Sequence, residues 1–214
     1  RAVYVATGTW ESPTLDVPNR SAEGVFDALS FLKMSKVKAA DFQNTVSDKS
    51  VAVIGGGDTA MDAAVTAVKA GARDVSILYR RSFNEMPGSA EEKERTFQSA
   101  VNFAFFTQPT DYEVKEGKLT GIKAVRTRLG EEDASGRRRP EAIDGTSHLI
   151  PADVVVEALG LAAEEGNKVL IGGDNVFAGG DAVRGPSLVS YAVADGKSAA
   201  TSILKSMGFE AEKR

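Results

Sequence analysis

Residues 51–62 read V-A-V-I-G-G-G-D-T-A-M-D. Val51, Ala52, Val53 and Ile54 are apolar in sequence, as in a buried strand. Gly55, Gly56 and Gly57 follow at once. Residues 58–70, D-T-A-M-D-A-A-V-T-A-V-K-A, then read as a helix, and Gly71 is placed to end it. Strand, turn and helix together contain G-x-G-x-x-A, at Gly55, Gly57 and Ala60. In this pattern the first glycine permits a tight turn, and the second lets backbone approach a pyrophosphate. The small third residue lets the helix pack close to the sheet. Free N–H groups at the helix start, at the positive end of its dipole, face the phosphates. A turn needed only to pack a helix on a sheet does not explain three consecutive glycines, which weaken strand and helix alike. The expectation is therefore a dinucleotide site on a Rossmann-like parallel sheet.

The next strand, residues 74–79 (D-V-S-I-L-Y), ends in Arg80 and Arg81. The residue about twenty positions past such a fingerprint reads the ribose: an acid holds a free 2′-hydroxyl, and arginine accommodates a 2′-phosphate. Here two arginines occupy that place and no acid does. Guanidinium forks match phosphate geometry, so the expected coenzyme is NADPH rather than NADH.

Composition narrows the field. The chain has 214 residues, room for one large or two modest domains. It is 42% hydrophobic and 26% charged, as soluble globular proteins are. A net charge of -4 gives no reason to expect nucleic acid or an anionic membrane as a partner. No apolar run is long enough to span a bilayer, and the expected location is cytoplasmic. With no cysteine, this chain makes no disulfide and ligates no iron–sulfur cluster through thiolates. Its one histidine, His148, lies in S-H-L-I-P, an exposed strand start rather than a catalytic setting.

The remaining stretches fill in around the glycine turn. Residues 2–6 form a short apolar strand, opening abruptly, as a piece of something longer does. Residues 11–20 carry Pro13 and Pro18 and read as loop. Residues 22–34 have helical spacing, with Val25, Phe26, Leu29 and Leu32 on one face, and residues 36–49 read as a polar connection. Residues 89–101 are a helix opened by a Ser89–Glu92 capping box, and residues 103–106 a strand. Residues 112–128 are a β-hairpin turning at Glu116-Gly117-Lys118. Residues 130–140 form a charged loop in which Arg137, Arg138 and Arg139 are read as a solvated tip. Residues 147–150 and 153–158 are strands, the first completing an inserted antiparallel β-meander. Residues 162–168 are a polar link, residues 175–178 a strand ending in Gly179-Gly180-Asp181, and residues 187–207 a long helix closed by Gly208.

Four motifs now stand in order: G-G-G-D-T-A-M-D, Y-R-R, E-M-P-G-S, and V-F-A-G-G-D with R-G-P-S-L-V. Together with the hairpin and loop G-I-K-A-V-R-T-R-L-G-E-E-D-A-S-G-R-R-R-P, they make nearly the whole chain similar to the small (beta) subunit of NADPH-dependent glutamate synthase and its relatives. The resemblance implies an α/β flavoprotein of the two-dinucleotide-binding-domain type. Residues 1–48 would be an FAD-domain strand and linker, residues 49–160 the NADPH domain, and residues 161–214 the returning part of the FAD domain. It implies that Gly55, Gly56, Gly57, Asp58 and Thr59 meet the NADPH pyrophosphate and that Arg80 and Arg81 hold its 2′-phosphate. Ala158, Leu159 and Gly160 would lie beside the nicotinamide ribose, and Gly180 and Asp181 would hold FAD. It further implies hydride transfer from NADPH to flavin, then electron transfer to an iron–sulfur domain or subunit such as a glutamate synthase large subunit. No side-chain acid or base is needed for the hydride step; Glu85 and Asp181 are the nearest carboxylates. The chain departs from the family in lacking the cysteine-rich region and the first FAD fingerprint, and in a shorter link over residues 161–175. Independent FAD binding is therefore an open expectation, and an NADPH module without turnover of its own is the alternative.

Overall fold

The structure, a computed structural model, describes residues 1–133, 136–162 and 175–209. It is an α/β protein that divides into two compact units: residues 14–160, and residues 1–13 with 161–214.

The larger unit contains β2 (Val25–Asp27), α1 (Ala28–Val37), α2 (Ala39–Val46), β3 (Ser50–Ile54), α3 (Asp58–Lys69), β4 (Asp74–Tyr79), α4 (Ala90–Phe97) and β5 (Asn102–Phe105). An antiparallel meander follows, of β6 (Thr107–Lys115), β7 (Lys118–Glu132), β8 (Arg138–Ala142) and β9 (His148–Pro151), and then β10 (Val154–Glu157). Strands β2, β10, β3, β4 and β5 hydrogen-bond in that order, every pair parallel. In the meander β7 pairs with β6, β8 and β9.

Why these layers form is visible along β3. Side chains alternate across a strand. Val51 and Val53 join Val75, Ile77, Val154 and Val156 in a core shared with Phe31, Phe42, Met61 and the alanines of α3. Ala52 and Ile54 join Leu78 and Val155 in a second core that includes Tyr112, Leu119 and Ile122 of the meander. The sheet is thus covered by helices on one face and by the meander on the other. That explains why β3 and β10 are apolar without alternation. Each fully buried aliphatic side chain in these layers stabilises the fold by about 1.5–3 kcal/mol.

Residues 22–49 differ from the expectation. The chain at Val25–Asp27 is a strand beside β10, and the helix starts only at Ala28. Asp27 accepts a hydrogen bond from the Ser30 N–H, so it caps α1. Helical spacing of apolar residues is satisfied here by a strand followed by a helix, because the edge of β10 is free to pair. The supposed polar connection contains α2, which buries Phe42 and Val46. Residues 14–48 therefore belong with the larger unit.

In the smaller unit, β1 (Val3–Val5) pairs in parallel with β11 (Val176–Ala178). Two helices follow, α5 (Asp181–Arg184) and α6 (Val189–Ser206). Most of the expected polar link, residues 163–168, lies outside the described residues.

Candidate functional site

In the larger unit β3 lies between β4 and β10, and the chain leaves β3 towards β4 and β5 on one side only. The order of strands reverses between β3 and β10, which opens a crevice at their carboxyl ends. A cleft of about 340 Å³ sits there. Its floor is Ile54 with Gly55–Gly57. One wall is Tyr79, Arg80 and Arg81 after β4, another is Ala158, Leu159 and Gly160 after β10, and Thr107 to Pro109 and Arg137 come from the meander.

Gly55 has φ +145°, and a Cβ there would overlap the carbonyl of Ala158. The Ala158 N–H bonds back to Ile54 O at 2.8 Å, and the Gly55 N–H bonds to Leu78 O at 3.1 Å. All three strand ends are therefore tied together beneath the turn. A Cβ on Gly56 would lie 2.6 Å from the Tyr79 ring, whereas one on Gly57 would meet nothing nearer than Pro87 at 4.0 Å. Gly55 and Gly56 serve close packing, and Gly57 leaves open space over the turn. Gly57 is also the N-cap of α3, and no side chain caps that helix. The first N–H groups of α3 remain available to an anion. Thr59 lines the cleft beside them.

The sequence-predicted residues do not all present free groups. Asp58 is exposed, and its carboxylate accepts the Ser89 N–H at 2.7 Å, anchoring the loop before α4. That loop closes on the glycine turn through Gly88 N–H to Gly56 O at 3.1 Å. Tyr79 donates its hydroxyl to Glu85 O at 2.7 Å. Ser82 and Glu85 form the reciprocal capping box of a single 3-10 turn, Phe83–Glu85. The Ser82 hydroxyl holds the Glu85 carboxyl below the usual carboxylate range. At the other predicted box, Ser89 caps α4 by accepting the Glu92 N–H, but Glu92 pairs with Arg95 instead of returning to Ser89.

The two arginines differ sharply. Arg80 is exposed at the mouth of the cleft. Arg81 is 5% exposed; it donates to Asp133 Oδ2 and to the Arg138 carbonyl, both at 2.7 Å. Of the expected solvated tip, Arg138 and Arg139 are exposed but lie on β8, and Arg137 is half-buried. Arg138 opens β8 and bonds back to the carbonyls of Leu129 and Gly130, and Arg137 lines the cleft. The reading of a basic tip misses Arg137 because its place depends on pairing of β8 with β7. The signal for it lies in Asp133 and Gly136, residues suited to a tight turn.

Next to the cleft lies Glu157, 1% exposed at the end of β10. It accepts from Tyr112 Oη at 2.6 Å and from Arg20 Nε at 3.2 Å. This pairing secures the segment that carries Leu15, another cleft residue.

Gly180 and Asp181 lie in the smaller unit. The Gly180 N–H bonds to Asp195 Oδ2 at 2.9 Å, and Asp195 also pairs with Arg184. Asp181 Oδ1 accepts the Ser187 N–H and hydroxyl at 3.1 and 3.0 Å. His148 opens β9, half-buried, with Nδ1 3.0 Å from Thr146 O. Among the described residues no group of acidic residues and histidine is arranged to hold a metal ion, and no helix is long and apolar enough to cross a membrane.

The sequence pattern of the pyridine nucleotide-disulphide oxidoreductases matches residues 1–196. The chain belongs to that family. This member of the pyridine nucleotide-disulphide oxidoreductases has its cleft at the reversal of strand order, lined by Gly55, Gly56 and Gly57, and its sequence contains no cysteine for a disulphide of its own. It is 38% identical to the glutamate synthase [NADPH] small chain of Escherichia coli over 95% of this chain and 50% of that one. It is 39% identical to the NADP(+)-dependent formate dehydrogenase subunit beta of Moorella thermoacetica, over 94% of this chain and 31% of that one. The chain thus spans about half the length of the first of these relatives, and less of the second. Mycobacterium tuberculosis FprA, solved in complex with NADPH, aligns with a TM-score of 0.79 at 18% identity, over 97% of this chain and 64% of that one. At that identity the likeness is one of fold.

Proposed function

We propose that this chain is the NADPH-binding segment of an NADPH-dependent flavoprotein oxidoreductase. The observation that carries the reading is the cleft itself: a turn of bare amides at the strand-order reversal, with an exposed arginine where the ribose is read. The space over Gly57, which a side chain would enter, fits a pyrophosphate. The relatives' names support the phosphorylated coenzyme, since two of them specify NADPH or NADP(+).

The residues take these roles. Gly55, Gly56 and Gly57 shape the turn, and the amides at the start of α3, with Thr59, bind the pyrophosphate. Asp58 holds the Ser89 loop against the turn rather than touching phosphate directly. Arg80 pairs with the 2′-phosphate. Ala158, Leu159 and Gly160 flank the nicotinamide ribose. In the smaller unit Gly180 and Asp181 hold part of FAD. When bound, NADPH supplies a hydride and FAD accepts it, so the protein contributes binding, orientation and exclusion of water. We assign no side chain to proton transfer, and Glu85 is committed to Ser82. Onward electron transfer to iron–sulfur centres, glutamate biosynthesis and a large-subunit partner belong to the same proposal. So do a cytoplasmic location and the boundary between coenzyme domains near residue 160.

A second reading is an NADPH module without turnover of its own. It is favoured by the compact unit of residues 14–160, which contains the whole lining of the cleft. Titration with NADPH, followed by addition of FAD and an artificial electron acceptor, separates the two. Oxidation of NADPH dependent on FAD supports the reductase. Tight NADPH binding without FAD retention supports the module. Failure to bind either NADPH or NADH sinks both.

A further inference from the structure

We propose that Arg137, delivered by the meander, is a second specificity-determining cation for the coenzyme's 2′-phosphate, and that Arg81 is a positioning residue that places it. The inference rests on the NADPH reading of the cleft and deepens it. Arg80 and Arg137 reach the cleft from different elements, the end of β4 and the turn before β8.

Between them Arg81 acts as a strut. It leaves β4 buried and grips the β7–β8 turn at two points, the Asp133 carboxylate and the Arg138 carbonyl. The same Asp133 takes the Arg137 N–H on its other oxygen at 3.3 Å, and its own N–H bonds to Arg137 O at 2.7 Å. Arg137 is thereby bracketed on both sides by partners of Arg81. A buried arginine whose charge is balanced by a half-buried carboxylate attracts an anion weakly. Its fixed fork is well suited to hold a turn. The arrangement makes 2′-phosphate recognition depend on the inserted meander as well as on the Rossmann-like strand.

The test is equilibrium titration of the full 214-residue chain with NADPH, NADH and 2′,5′-ADP. Arg137→Ala should weaken NADPH and 2′,5′-ADP about tenfold, the loss expected for one charged hydrogen bond, and change NADH by less than about twofold. Arg137→Gln, which keeps the size of the side chain, should do the same. Asp133→Asn replaces no residue that lines the cleft and acts only through the arginines that Asp133 holds. It should still lower the NADPH-to-NADH preference, whereas a merely structural weakening would reduce both coenzymes alike. If Arg80→Ala abolishes the preference while both Arg137 variants and Asp133→Asn retain it, the inference is wrong and the NADPH reading stands. If the unaltered chain binds neither coenzyme, both fail.

Discussion

The Ala158 carbonyl occupies the space that a β-carbon on Gly55 would need. Gly55 also has φ +145°, a conformation that side chains rarely adopt. Gly57, two residues on, has φ -91°, and a β-carbon there would meet only Pro87, at 4.0 Å. Two glycines of one fingerprint therefore have separable duties. Gly55→Ala should cost about 3 kcal/mol or more of folding stability, from backbone strain and overlap together. Gly57→Ala should change stability by under about 0.5 kcal/mol yet weaken NADPH at least about tenfold. Urea unfolding and coenzyme titration on both variants check this. Equal destabilisation by the two would contradict the division of labour.

How much can be read beforehand follows from which interactions are local. Residues 51–71 are legible in full because strand, turn and helix each carry their own chemistry. Asp74–Tyr79 is legible to the residue. The failures depend on distant partners. Val25–Asp27 is a strand because β10 offers it an edge. Arg81 leaves the solvent because Asp133, far along the chain, meets it. Arg137 is hidden for the same reason. A pair of arginines in sequence gives charge but not which of them a carboxylate will claim.

Glu157 offers a second probe of the larger unit. Its carboxylate is buried and accepts from Tyr112 and Arg20. Glu157→Gln keeps an acceptor for one of them but loses the charge, and should cost about 1–2 kcal/mol. Glu157→Leu leaves the buried Tyr112 hydroxyl without that acceptor and should cost about 3 kcal/mol. Chemical denaturation measures both, and equal losses would show that packing rather than hydrogen bonding matters at this position.

Tyr112 makes the same cluster sensitive to alkali. Burial, and then the hydrogen bond to Glu157, push its hydroxyl well above the ordinary phenol range. The protonated form therefore favours the folded state. Its contribution is complete below the unfolded value of about 10 and is lost as pH rises beyond it towards the folded value. Urea midpoints at pH 8, 9, 10 and 11 should fall more steeply for the unaltered chain than for Tyr112→Phe. The stability gap between them should narrow above about pH 10. Parallel curves would show that Tyr112 titrates as an ordinary tyrosine.

In the smaller unit the corresponding handle is Asp195, which accepts the N–H of Gly180, a residue proposed to hold part of FAD. Arg184, hydrogen-bonded to Asp195, holds its carboxyl down to about 2, with the Gly180 N–H adding to the effect. A depressed folded value means that the stabilisation is present above the ordinary aspartate range of about 4. It is lost as pH falls from there through the folded value. The Gly180 amide resonance should therefore titrate with a midpoint near 2 rather than near 4. Arg184→Gln should move that midpoint up towards the ordinary range by removing the largest cause, and Asp195→Asn should abolish the transition. A Gly180 midpoint near 4 in the unaltered chain, or one that Arg184→Gln leaves in place, would break the link between this ion pair and the turn.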